Sequence, residues 1–197
     1  MCFRKPVMTL KFGETSVELW VRERAMPARA DSIIAPVGTN LKMGVGIAKW
    51  VRDEGSGKAQ SEALKAAPLA PGESFVGTGG RYRFESVILA VVMDDQKRFT
   101  GEWITTAVAE SIREAGKSGA ESVLLPDMTD DLLRQPVWIS QRQRNETCEP
   151  IARAMLEGVR MAQGSVRTVK LWVWRKDLLD VWNSAFKANP AKQEANV

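Results

Sequence analysis

Two neighbouring carboxylates, Asp130 and Asp131 in "TDDLLR", are by type the side chains of this sequence best suited to chemistry. A carboxylate held in a crevice can orient or deprotonate water, or attack an electrophilic carbon itself. The same pair can equally form an acidic, solvated turn that caps the helix after it. Few other groups compete for a catalytic role, because the chain contains no histidine. That removes Ser-His and Cys-His nucleophiles and histidine-bound metals. The two cysteines, Cys2 and Cys148, cannot form the usual zinc sites, so neither a metal nor a cofactor is expected. Without an imidazole partner, Cys148 reads as a small residue near the start of a helix rather than as a nucleophile.

The second stretch with chemical potential is "NLKMGVGIAKWV", residues 40–51, where Gly44 and Gly46 lead into an apolar helix just after the strand "DSIIAPV". Strand, glycine turn and helix is how α/β proteins present backbone N–H groups to an anion. Asn40, Lys42, Met43, Gly44, Val45, Gly46 and Ile47 are therefore candidate ligand-binding residues, with Lys42 adding a charge at the entrance. The glycines could equally serve tight packing of helix on strand. Asn40 could hydrogen-bond a ligand or simply turn the chain.

These loops need a scaffold, and the hydrophobic pattern describes one. Val17, Leu19 and Val21 alternate as in a half-buried strand, and "SIIAPV" is the continuous apolar run of a strand covered on both faces. Helical spacing predicts a helix from Val45 to about Glu54, broken by "GSG", and another over Ser61–Ala67 that stops before Pro68. "ESFVGTGGRYRFESVILAVVMDD" predicts two strands around a glycine turn, the second from Ser86 to Met93. Ile104, Val108 and Ile112 share one face of an amphipathic helix, with Gly116 and Gly119 beyond its end. "ESVLLP" is a short strand, followed by an irregular segment from Asp127 to about Asn145. Thr147 is expected to cap a helix carrying Ile151, Met155 and Val159. "VRTVKLWVW" is a strand and "KDLLDVWNSAF" a terminal helix.

This alternation predicts an α/β fold of three layers, α/β/α, around a mixed, mainly parallel sheet. One domain is expected over residues 1–187, with 188–197 a polar tail without structure. In such sheets ligands sit beyond the C-terminal ends of the strands. The loops after "SIIAPV", "SVLLP" and "KLWVW" should therefore share one rim. Hydrophobic residues make up 44% of the chain, but no apolar run approaches the roughly 20 residues of a membrane span. With sparse cysteine and no secretory h-region in "MCFRKPVMTL", a cytoplasmic location and no membrane partner are expected. A net charge of +4, spread along the chain, is too diffuse to argue a nucleic-acid groove.

Taken together, the order of elements and the loops resemble the macro domain, the fold known for binding ADP-ribose, over roughly Val17 to Phe186. "KMGVGIAKWV" is most similar to the branch with a Met-Gly-Ala-Gly-Ile-Ala loop, which includes de-ADP-ribosylating enzymes. "ESVLLPDMTDDLL", with Thr129, resembles that family's second loop, usually a proline followed by a small glycine-rich turn over the diphosphate. "VKLWVWRKDLLDVW" resembles its last strand and helix. Trp174 then stands where an aromatic ring often lies against the adenine, unless it belongs to the core. The resemblance implies a pocket for ADP-ribose or a related adenine nucleotide, with an ADP-ribosylated macromolecule as a further partner.

The departures from that pattern are specific. Ala35 and Pro36 replace the asparagine near the distal ribose, and no acid follows the glycine turn. Gly77 or Thr78 stands where the catalytic lysine of the related branch would be. Asp130 and Asp131 replace N–H donors, and each carboxylate would repel a diphosphate by about 1 kcal/mol in water at about 4 Å. Arg134, Arg142 and Arg144 could offset that charge. The acid that often recognises the adenine amine falls near Glu23 and Arg24. Asp31 is retained as a base-recognition candidate, against the alternative of a turn former. Three readings follow: nucleotide binding without efficient catalysis; an ADP-ribosyl hydrolase using Asp130 or Asp131; and an interaction domain with a degenerate pocket, contacting partners through Trp138, Arg142 and Arg144.

Overall fold

Residues Val87, Leu89 and Val91 of one strand pack into one hydrophobic core, and their neighbours Ile88, Ala90 and Val92 into another. That two-residue period places a helical layer on each face of a single sheet. The protein is described here from a computed structural model that covers residues 5–21, 29–79, 84–133 and 140–189. Its strands are β1 (Met8–Phe12), β2 (Thr15–Val21), β3 (Ser32–Gly38), β4 (Ser74–Thr78), β5 (Ser86–Met93), β6 (Ser122–Pro126) and β7 (Thr168–Val173). They form a seven-stranded sheet in the order β1-β2-β7-β6-β3-β5-β4. All pairs from β2 to β5 are parallel, and the antiparallel pairs are the outer ones, β1 with β2 and β4 with β5. This is the mixed, mainly parallel sheet expected of the sequence.

The larger core lies under α3 (Gly101–Lys117), α5 (Gln141–Met161) and α6 (Leu179–Lys187). The smaller lies under α1 (Gly46–Val51) and α2 (Gly57–Ala66). A short helix, α4 (Thr129–Leu133), follows β6. No helix among the described residues is long and apolar enough to cross a membrane.

Several boundaries differ from expectation. β1 is not marked by the sequence pattern, because it is an edge strand whose outer residues stay partly exposed. "GSG" breaks the helix as expected, with Gly55 at a positive φ of 115° in a wide turn over Arg52–Ser56, but α2 then starts at Gly57 rather than at Ser61. Gly116 lies inside α3, where a Cβ would come within 2.2 Å of the Ser165 carbonyl oxygen. Only Gly119, with φ 87°, sits beyond the end. The helix expected after Thr147 starts earlier, at Gln141. Ser140 caps it, with its hydroxyl accepting from the Gln143 amide and the Gln143 side chain accepting from the Ser140 amide. Thr147 is an interior residue whose hydroxyl donates to the Gln143 carbonyl. The anticipated polar tail begins at 188. Residues 190–197 lie outside the described residues, as do Glu23, Arg24, Arg134 and Trp138.

Candidate functional site

The parallel strands β3, β6 and β7 are neighbours, so the chain leaves all three at the same end of the sheet. Contacts between their loops are direct. The Asp127 amide, just after β6, donates to the Trp172 carbonyl of β7 at 2.8 Å. Asp130 Oδ1 accepts from Arg175 Nη1 at 2.6 Å, joining the second loop to the segment after β7. Asp131 Oδ2 accepts from the Ile47 amide at 3.2 Å, joining it to the loop after β3. The three loops therefore meet as the strand order predicts.

The first loop is held from below. Gln60 of α2 accepts from the Met43 amide at 2.5 Å and donates to the Leu41 carbonyl at 3.1 Å. The side chain of Asn40 accepts from the Lys42 amide at 3.0 Å, the turn-forming alternative of its two readings. Leu41 rather than Asn40 takes the left-handed conformation, at φ 54°. Met43 and Ile47 are buried, whereas Lys42, Gly44, Val45 and Gly46 are exposed. Gly46, at φ 54°, opens α1, and the residue in its cap position, Val45, offers no side-chain acceptor.

Beside this loop is a cavity of about 210 Å³ lined by Pro36, Gly38, Asn40, Lys42, Gly44, Val45 and Asp131. Its far wall is the loop after β5, with Asp94, Asp95 and Lys97. This fourth loop carries no marked motif, although "MDD" at the end of a buried parallel strand obeys the same rule. Thr39 donates its hydroxyl to Asp95, tying the two loops together. Lys42 and Lys97 form no ion pair among the described residues.

Other predicted residues have different places. Asp31 lies before β3, at the opposite end of the sheet. Its carboxylate accepts from the amides of Glu121 and Ser122 at 2.9 and 2.8 Å and from the Ser122 hydroxyl at 3.0 Å. It is a strut between β3 and β6 and does not reach the cavity. Thr129 is buried and donates its hydroxyl to Asp127 at 2.6 Å. Trp174 is partly buried, edge-on to Trp172 at 6.4 Å, and its indole N–H is buried without a hydrogen-bond partner among the described residues. Trp172 in turn meets Trp50 at 5.5 Å. Ala35 is buried in the smaller core, while Pro36 faces the cavity.

Beneath the second loop lies an ionic network. Arg175 holds Asp177 with two hydrogen bonds, at 3.0 and 2.6 Å, as well as Asp130. Asp177 also pairs with Arg144 at 2.8 Å. The bond from Arg175 holds the Asp177 carboxyl below its usual range. Arg144 is 4% exposed, so it cannot belong to a contact surface with Arg142, which is exposed and paired with Glu146. Asp127 is buried completely, and burial pushes its carboxyl up to about 7 against the opposing hydrogen bonds from Thr129. Cys148 is 3% exposed and its thiol is also pushed up by burial, which suits a core residue and not a nucleophile. Of Gly77 and Thr78, the two residues expected near the related branch's lysine, Thr78 donates its amide and hydroxyl to Glu62, each at 2.8 Å.

Known proteins share this architecture. The Oceanobacillus iheyensis macrodomain, solved with ADP, superposes with a TM-score of 0.72, covering 92% of this chain and 95% of that one at 12% identity. A mutant of it, solved with ADPR, superposes with the same score. At such identity the likeness shows the fold. In sequence, an uncharacterized protein of Aquifex aeolicus is 25% identical over 144 residues, 73% of this chain and 87% of its own length. A relative from Mycobacterium bovis is 32% identical over 95 residues, and the match spans 48% of this chain and 26% of that longer protein. Residues 34–155 match the family described as "Macro domain". That stretch holds the glycine turn, β5, α3, the loop of Asp130 and Asp131 and most of α5, and this chain belongs to the macro domain family.

Proposed function

We propose that the chain binds ADP-ribose or a related adenine nucleotide in the crevice between the loops after β3, β5, β6 and β7, without efficient catalysis. The observation that carries this reading is the exposed turn Gly44–Gly46, which opens α1 at the cavity with no local side-chain cap. Such a turn offers amides to a phosphate at close backbone approach. Lys42 and Lys97 at the same cavity supply uncommitted positive charge. The solved macrodomain from Oceanobacillus holds ADP in one structure and ADPR in another, which supports the choice of ligand. The partner is then the free nucleotide or an ADP-ribosylated macromolecule. Two cysteines in the whole chain suit a reducing compartment, and we assign the protein to the cytoplasm on that ground.

A hydrolytic reading has Asp131 on its side, since that carboxylate lines the cavity and could orient water. Against it stand the Asp130–Arg175 pair and the absence of a lysine on β4. Thermal unfolding with and without excess ADP-ribose, with AMP and NAD as controls, tests the binding reading. Ligand at about 100 times Kd adds about 2.7 kcal/mol of stability. For a chain of this size that is a shift of roughly 5 to 10 °C. No shift with any of the three ligands would refute nucleotide binding at this site.

A further inference from the structure

We infer that Asp131 is an intramolecular latch: its carboxylate occupies the seat at the entrance of α1 that a ligand phosphate must take, so ligand binding requires its displacement. This rests on the nucleotide-binding reading above and adds its regulation. The geometry is specific. Asp131 Oδ2 accepts from the Ile47 amide, 84 positions away in the chain. A Cβ on Gly46 would come within 1.5 Å of Asp131 Oδ1, so the carboxylate lies directly against the bare face of that glycine. The chain provides no local substitute, because Val45 cannot cap and the first turn of α1 carries no acid. The orphan amide is thus served by a remote carboxylate.

The contact between Asp131 and the Ile47 amide is itself a long one. An N–H to carboxylate distance of 3.2 Å is long for a charge-assisted hydrogen bond, for which about 2.7–2.9 Å is usual. Asp131 is only partly buried, and it forms part of the cavity wall. Its neighbour Asp130 is paired with Arg175, so α4 stays tethered to the segment after β7 when Asp131 swings out. The cavity of about 210 Å³, below the roughly 300–1,000 Å³ of most ligand pockets, is that of the latched form. A protein latched ten to one binds with about tenfold lower apparent affinity than one always open.

Calorimetric titration of the full chain with ADP-ribose tests the latch, comparing wild type with Asp131→Ala and Asp131→Asn. The expected result is a Kd lower by about tenfold or more in Asp131→Ala, with Asp131→Asn between, since it loses the charge and keeps the acceptor. Equal or weaker binding by both variants, where the wild type binds, overturns the latch. Should ADP-ribose bind none of the three, the nucleotide reading falls, and inorganic pyrophosphate then decides the latch separately. The Ile47 amide resonance should shift at a pyrophosphate concentration about tenfold lower in Asp131→Ala than in wild type. Equal midpoints in the two proteins, or no shift in either, overturn it.

Discussion

Asp127 is a buried carboxyl beneath the second loop. It is 1% exposed, and it shares the second loop with Asp130 and Asp131, whose charges oppose its ionisation after burial has done so. Its carboxyl, pushed up by burial to about 7, lies above the ordinary value of 3.8 that holds in the unfolded chain. Between those values the unfolded chain releases the proton first, so this group makes stability fall as pH rises from roughly 4 to 7 and level off above. Its hydrogen bonds from the Thr129 hydroxyl and amide are already counted in that shift. Asp127→Asn preserves the shape and removes the titration. Its stability relative to wild type should therefore rise by about 2–3 kcal/mol between pH 5 and pH 8, measured by urea unfolding at each pH. A constant difference across that range would show that Asp127 ionises normally. The gradient also bears on the ligand, because a charged Asp127 beneath Asp130 and Asp131 adds to the field a diphosphate must approach.

Among the elements, α5 shows how local chemistry can hide a boundary. Its true cap is Ser140 with Gln143, a reciprocal pair of hydrogen bonds at 3.1 and 3.3 Å. Ser140→Ala should lower stability by about 1 kcal/mol, whereas Thr147→Ala should cost less because that hydroxyl donates to carbonyls of its own helix and caps no free amide. Denaturant midpoints of the two variants check the order. In sequence, Thr147 reads as the cap because it is a cap-forming residue just before the helical spacing of Ile151, Met155 and Val159. Pro150 is tolerated deep inside α5, on the exposed side, where water can take up the carbonyl it leaves unpaired. The buried strands, by contrast, were legible: β3, β5 and β6 are short continuous apolar runs, as strands of a sheet covered on both faces are. The convergence of three loops followed from strand direction alone. What could not be read was where side chains point. Asp31 and Asp131 are both acids beside strands, yet one braces the far end of the sheet and the other lies against Gly46. The partnership of Asp131 with Ile47 joins segments 84 residues apart, which no local pattern encodes.

For the whole molecule, the two faces of the sheet are unequal, and the loop of Gly44 and Gly46 hangs from the weaker. The face under α3, α5 and α6 buries Ile104, Met155, Trp182 and Phe186. The opposite face is covered by α1 and α2 largely through Ala48, Ala59 and Ala63, with Ile47 and Val51. Less apolar area is removed from water there, so less free energy opposes opening. The wide turn at Arg52–Ser56 further interrupts the run of helical hydrogen bonds between α1 and α2. Local opening on this side would move Gly46 and Ile47 relative to Asp131 while β3, β5 and the larger core stay intact. Such an opening is the motion a ligand needs if it is to replace an internal carboxylate, and ligand can only favour it through contacts made in the open form. Amide hydrogen exchange followed by mass spectrometry should therefore find residues 46–66 exchanging well before 101–117 and 141–161. Saturating ADP-ribose should slow the segment containing Gly44–Ile47 more than α3 or α5. Uniform exchange across all four helices would show a single cooperative unit and remove the basis for a locally opening ligand face. Slowing confined to α3 and α5 would place the ligand elsewhere than the crevice at the C-terminal ends of the strands.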